Sequence, residues 1–277
     1  MFSPYQFLDT LELSDKYIGI PDGSNANIQD IIDLLPLNRL RFICMNGIRV
    51  QIQPPEWIFK LYEHDEEEPY TMQDIQRILR TNPEKYYEME DIATITNYLS
   101  LNVLGSRVYP EYLMNPHLAS EIRQCNEPLI AIHMNLNYVD RGTGHANMLV
   151  IDKINQTYER FDSGSEIDPS NTYINEWFEN EFRILAGLDY YQYIAPMYIC
   201  VLGPQDISER FAPETHEGIC QTWVYLYLWA RLMNPALPTR YIGTILLAVD
   251  RPEKLWSYVN KFIHFMIVAK GWTIIPQ

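Results

Sequence analysis

The sequence predicts an α+β protein, and three observations carry that reading. Segments 129–136, 146–152 and 157–161 have strand length and strand composition. The stretch 219–233 is apolar almost all round, the signature of a helix buried on most sides. Further apolar stretches at helical spacing follow each of these blocks, so the expected fold is a small, mostly antiparallel sheet packed on that buried helix, with other helices around it.

Taken in order, the elements begin with a short helix over 27–35, where Ile28, Ile31, Ile32 and Leu35 recur at helical spacing. Pro54 and Pro55 break the chain, and the acidic run 63–68 reads as a solvated loop. Helices are expected near 72–80 and 86–99. In 129–136, Ile130, Ile132, Met134 and Leu136 share one face. A loop with Gly142 and Gly144 leads to strands 146–152 and 157–161, and the short polar link 153–156 makes these two an antiparallel hairpin. An amphipathic helix over 172–186 carries Ile174, Trp177, Phe178, Phe182 and Leu185 on one stripe, with Gly187 as its stop. A strand is expected over 198–202. The helix 219–233 ends before Asn234-Pro235, because a residue preceding proline is pushed out of the α region. Helices over 240–249 and 254–268 complete the chain.

Composition narrows the function. The 277 residues carry 36 Asp+Glu against 21 Lys+Arg, a net charge of −15. Such a surface repels phosphate, so nucleic acid is not an expected partner. With 47% apolar and 21% charged residues the chain has enough core to fold as one large or two small domains. No stretch is long and apolar enough to span a bilayer, and Met1-Phe2-Ser3-Pro4 has no basic n-region of a signal peptide, so membrane insertion and secretion are not expected. The four cysteines, Cys44, Cys125, Cys200 and Cys220, are scattered without a CxxC pair; reduced thiols, no metal and no cofactor are the expectation.

Three residues combine into chemistry. Cys220 opens the buried helix, where the positive end of the helix dipole favours a thiolate. His145 stands between Gly142-Thr143-Gly144 and the strand 146–152. The hairpin brings Asp162 back to the same end, within a residue or two of register, on strands about 5 Å apart. A carboxylate there fixes the imidazole tautomer and stabilises the imidazolium. His216, four residues before Cys220, is the reserve base, and Gln205 in Gly203-Pro204-Gln205, expected at the end of a strand, is a candidate oxyanion donor beside the Cys220 backbone N–H.

The order His145, Asp162, Gln205, Cys220 resembles the ubiquitin-like (SUMO) protease and adenovirus-protease clan of cysteine peptidases. The likeness runs over about 128–235 and rests on Gly144-His145-Ala146-Asn147, Arg160-Phe161-Asp162-Ser163, Gly203-Pro204-Gln205, and Cys220 with Trp223 three residues on. It is nearest to uncharacterised members from large DNA viruses, in which a Cys-x-x-Trp segment is followed by Arg-Leu and Asn-Pro; Arg231-Leu232 and Asn234-Pro235 stand there in this chain. The sequence departs from the SUMO proteases in having Gly144 and Ala146 beside the histidine, Ile219 and Gln221 beside the cysteine, and fifteen residues from Gln205 to Cys220.

The resemblance implies a papain-like fold of the SUMO-protease type and a thiol protease with His145, Asp162 and Cys220 as its triad. Its substrate would be a protein, either a ubiquitin-like conjugate or a viral precursor. It further implies a catalytic core over 121–277, an accessory region over 1–120 that builds the far wall of the substrate groove, and residence in host cytoplasm or virion. A virion structural protein keeping the fold alone, an acyltransferase of the same clan, and a binding module with a coincidental triad are the alternatives.

Overall fold

The computed structural model describes residues 3–12, 92–110, 116–127, 129–164, 170–200, 203–212, 219–234, 237 and 239–270. The expected helices at 27–35 and 72–80 and the acidic run lie outside them. The expected helix over 86–99 is corrected where it can be seen: β1 is a strand, Ile92–Leu104. Its sequence alternates Leu99, Leu101 and Val103 into the core, and β-branched residues crowd its first half, both of which favour a pleated strand over a helix.

β1 opens a six-stranded sheet with β2 (Arg107–Pro110), β3 (Leu129–Tyr138), β4 (Thr143–Asp152), β5 (Thr157–Asp162) and β6 (Gln192–Ile194). The spatial order is β2-β1-β3-β4-β5-β6. The centre, β3–β4–β5, is a pair of antiparallel hairpins, while β1 runs parallel to β3 and β6 parallel to β5. β1 and β2 are thus strands of the same sheet as the candidate site, and the expected boundary at 120/121 falls between β2 and β3 of that sheet.

Both faces of the sheet are covered, which makes the protein α+β with the sheet as its middle layer. On one face Leu129, Ala131, Ala146, Met148, Val150 and Phe161 meet α6 (Cys220–Met233) and the helices around it: α1 (Pro4–Leu8), α7 (Thr239–Leu247) and α8 (Glu253–Lys270). On the other face Ile130, Ile132, Met134, Leu136, Leu149 and Ile151 meet α2 (Pro116–Gln124) and a helical segment that runs from α3 (Ser170–Trp177) to α4 (Arg183–Ala186). Twelve of the fourteen residues of α6, from Thr222 to Met233, are buried, which is why the sequence could afford no polar face there. Short as it is, α1 is held at both ends: Tyr5 stacks on Tyr258 and donates to the Leu246 carbonyl, and Asp9 accepts from Tyr258 and Lys261.

Two further expectations are corrected. Leu185, placed on the buried stripe, is 42% exposed, and Ala186 is buried in its place. A π-turn, Phe178–Phe182, joins α3 to α4; its wider winding rotates everything after it relative to a continuous α-helix, so the stripe moves on by one residue. Gly187 does end the segment, with φ 72° in the left-handed region that glycine tolerates. Residues 198–200 are not a strand either. Pro196 starts a 3-10 turn, Pro196–Tyr198, whose carbonyl takes the amides of Ile199 and Cys200 and so removes them from any ladder.

Candidate active site

The end of the sheet where β4 begins and β5 ends gathers the site. Asn147 is opposite Asp162 in the β4–β5 ladder, so His145 stands two residues further along β4. Both side chains lie on the face away from α6, at its rim. His145 Nε2 and Asp162 Oδ1 are 2.6 Å apart. The same oxygen accepts the Gly164 N–H at 2.9 Å, in the tight turn that follows β5.

Cys220 is the first residue of α6, half-buried, with Ile219 as an N-cap that brings no side-chain bond. Its thiol faces the His145 imidazole and the backbone N–H groups of Ala146 and Gln221, all of which act to lower its pKa. With Nε2 committed to Asp162, Nδ1 is the ring nitrogen left to exchange a proton with the sulfur. The structure thus brings Cys220, His145 and Asp162 together, with the His145–Asp162 contact the tight one.

The charges follow from that grouping. Burial alone would lower the basicity of His145, but the Asp162 charge and hydrogen bond, with the Cys220 contact, outweigh it and raise its pKa to about 10. Burial would raise the Cys220 thiol, yet the hydrogen bond and charge of His145 and the two backbone N–H groups pull it below its ordinary value. Asp162, which burial would push up, is held below the usual carboxylate range by His145, then Arg160, then the Gly164 N–H. All three directions point the same way, each favouring the charged form of its group: thiolate, imidazolium and carboxylate.

Gln205 is not at a strand end. It is the second residue of α5 (Pro204–Glu209), which Pro204 starts from the first helical position. Its backbone N–H donates to the Ser163 carbonyl, its Oε1 accepts from Ser163 Oγ, and its Nε2 donates to Glu209. It thus stands against the turn after Asp162, with one amide N–H engaged by Glu209. α5 also reaches α6, where Trp223 Nε1 donates to Ser208 Oγ.

Gly203 makes this contact possible. A Cβ on it would fall 2.2 Å from the Gly164 carbonyl carbon and 2.6 Å from the Ser163 oxygen, both backbone atoms. The Ser163–Gly164 turn is itself what supports Asp162 Oδ1. Gly203→Ala is therefore expected to cost about 1–3 kcal/mol by overpacking, seen as a lower denaturation midpoint, and to blunt Cys220 reactivity with it.

Among the described residues, His133, Asp152 and Glu159 are engaged elsewhere. His133 is buried on β3, its ring 5.7 Å from that of Tyr225, and burial lowers its pKa to about 4. His216 lies outside the described residues. Asp152 and Glu159, on the same hairpin as Asp162, both bind Arg231 of α6, at 3.1 and 2.8 Å. Among the described residues no cluster of histidine, cysteine and carboxylate side chains could hold a metal, and no helix is long and apolar enough to cross a membrane.

Sequence reasoning passed over what stands behind Asp162. Arg160, wholly buried, donates to Asp162, Asn147, Asn171, Asn175 and Tyr193. A signal existed: in a strand, residues two apart share a face, so an arginine at 160 must point the same way as Asp162.

Neither a protein-family model nor a curated protein matches the chain. Among solved structures, the chain is similar to one titled "SUMO protease Ulp1 with the catalytic cysteine oxidized to a sulfenic acid", at 13% identity and a TM-score of 0.34, over 90% of this chain and 98% of the other.

Proposed function

We propose that the protein is a cysteine peptidase in which Cys220 is the nucleophile, His145 the general acid–base and Asp162 the group that orients His145. The observation that carries this reading is the 2.6 Å contact of His145 Nε2 with Asp162 Oδ1 beside a thiol that opens a buried helix and whose pKa His145 lowers. In this reading the Cys220 thiolate attacks a peptide or isopeptide carbonyl carbon, forming a C–S bond. The imidazolium proton of His145 then passes to the departing amine as the C–N bond breaks. Water, deprotonated by His145, attacks the thioester; the C–S bond breaks, the acid product leaves and gives its own proton to solvent, and the thiolate–imidazolium pair is restored.

The Cys220 backbone N–H is the first donor to the oxyanion. Gln205 is the second: an amide nitrogen carries two N–H groups, and Glu209 takes one of them. The substrate is a protein, and the resemblance of the His145, Asp162 and Cys220 segments to the SUMO and adenovirus proteases favours a ubiquitin-like conjugate or a viral precursor. We propose that the accessory region, residues 1–120, builds the far wall of the groove.

Iodoacetamide tests the nucleophile. In folded protein at neutral pH it should alkylate Cys220 before Cys200, which is buried, and before Cys125, whose thiol burial pushes up. First labelling of Cys200, Cys125 or Cys44 would contradict the assignment and leave a protease-like fold kept for packing. Ubiquitin-like proteins bearing a C-terminal electrophile then divide the substrate classes, since capture by Cys220 requires recognition as well as reactivity.

A further inference from the structure

We infer that Arg160 is a positioning residue that keeps Asp162 ionised and aims its Oδ1 at His145. The inference rests on the peptidase reading above. Arg160 is 0% exposed, and its five N–H groups have five acceptors. Nη1 serves Asn147 Oδ1 at 2.6 Å and Asp162 Oδ2 at 3.4 Å. Nη2 serves Asn171 and Asn175 at 2.8 and 2.9 Å, and Nε serves the Tyr193 hydroxyl at 3.2 Å. Every one of these acceptors except Asp162 is neutral, so among the described residues the buried guanidinium has one carboxylate partner for its charge.

That arrangement splits the carboxylate between two tasks. Oδ2 faces the arginine, and Oδ1 takes His145 Nε2 and the Gly164 N–H. Arg160 is locked in turn by β4 through Asn147, by α3 through Asn171 and Asn175, and by β6 through Tyr193, which itself donates to Asn175. A side chain anchored to three elements cannot swing, so the carboxylate plane it fixes cannot swing either.

Charge completes the case. The ionisable groups facing Asp162 are Arg160 from its own strand and His145 from β4; Cys220 faces His145 from α6; Tyr138 and Tyr193 face Arg160. Counting Arg160⁺, Asp162⁻, His145 and Cys220, the cluster is neutral both as thiolate–imidazolium and as thiol–imidazole. Arg160 therefore lets a proton move between sulfur and ring without leaving the buried carboxylate uncompensated.

The consequence is a pH profile. Without the guanidinium, Asp162 protonates at higher pH; once neutral it no longer holds the imidazolium, and the thiolate is lost with it. The rate of Cys220 alkylation, measured from pH 4 to 9, reads this directly. For Arg160→Gln we expect the acid limb to move up by a pH unit or more, a loss of about tenfold in rate at the acid end, with the rate above pH 8 little changed. Arg160→Lys, which keeps the charge, should restore the limb. A merely structural role would lower the rate at every pH and leave the limb in place, and that result would overturn the inference.

Should neither variant fold, the unaltered protein decides. Carboxyl ¹³C NMR should find Asp162 ionised well below the usual carboxylate range, and titration within that range would refute the role of Arg160. Wild-type Cys220 without a low acid limb would sink the peptidase reading itself; a low limb that Arg160→Gln leaves in place sinks only the inference.

Discussion

Asp162→Asn is expected to cut turnover by about 10⁴, the size of effect that follows loss of tautomer control in a triad. Asp162 Oδ1 accepts from Nε2, so the neutral ring carries its proton on Nε2 and offers Nδ1 to the thiol. An asparagine that turns its NH2 toward Nε2 inverts this, and a ring protonated on Nδ1 cannot take the Cys220 proton. It also strips the imidazolium of its counter-charge while leaving Arg160 positive and buried beside it. The thiolate then loses the partner that lowered its pKa. Asp152 and Glu159 cannot take its place, because both are turned to Arg231 on the opposite face.

The measurement is the Cys220 alkylation rate at pH 7, with turnover on any substrate the electrophilic probes identify; near-normal rates in both would end the role assigned to Asp162. The same site makes stability depend on pH in two directions. The carboxyl of Asp162 is held low, so its contribution is present above its unfolded pKa and lost as pH falls through the folded value. His145 is raised to about 10, so its contribution is present below its unfolded pKa and lost as pH climbs through about 10.

The site was readable in the sequence to the extent that local geometry decides it. A link as short as 153–156 permits only a hairpin, and a hairpin returns Asp162 to the end of the ladder where His145 sits; Asn147 pairs with Asp162, so His145 stands two residues from it, within the expected register. Cys220 was readable because an all-apolar helix has few residues capable of chemistry, and the thiol opens it. What failed depended on information that no window of sequence contains. The π-turn at Phe178–Phe182 shifts the phase of a helix without any glycine or proline to announce it. The β1 strand is fixed by pairing with β3, about forty residues on. Gln205 looked like a strand end because the preceding apolar residues did; Pro196 and Pro204 turned that stretch into turn and helix starts. Buried charge was the least visible. Arg160 and Arg231 read as surface residues until partners from distant elements appear, and Arg231 finds Glu159 seventy-two residues away.

That last pair predicts the largest change in stability. Arg231→Leu is expected to cost about 3–5 kcal/mol, the usual penalty for removing one member of a buried ion pair. Arg231 Nε binds Glu159 Oε1 at 2.8 Å and Nη2 binds Asp152 Oδ2 at 3.1 Å, in a setting where none of the three is more than 2% exposed. Asp152 keeps other donors after the change, the N–H groups of Ile154 and Asn155 in the β4–β5 turn. Among the described residues Glu159 keeps the Tyr227 hydroxyl, and its Oε2 is buried without a hydrogen-bond partner. Burial already raises the Glu159 pKa against the pull of Arg231, so without the arginine it rises further. A carboxyl whose folded pKa exceeds its unfolded one stabilises the fold at low pH and withdraws that stability as pH rises. The loss in Arg231→Leu should therefore be smaller near pH 5 than near pH 8. Adding Glu159→Gln, which removes the stranded charge, should recover part of it at pH 8 and little at pH 5. Urea denaturation of the two single variants and the double variant at both pH values gives the coupling; additive losses at pH 8 would mean that the pair contributes nothing to holding α6 on the sheet.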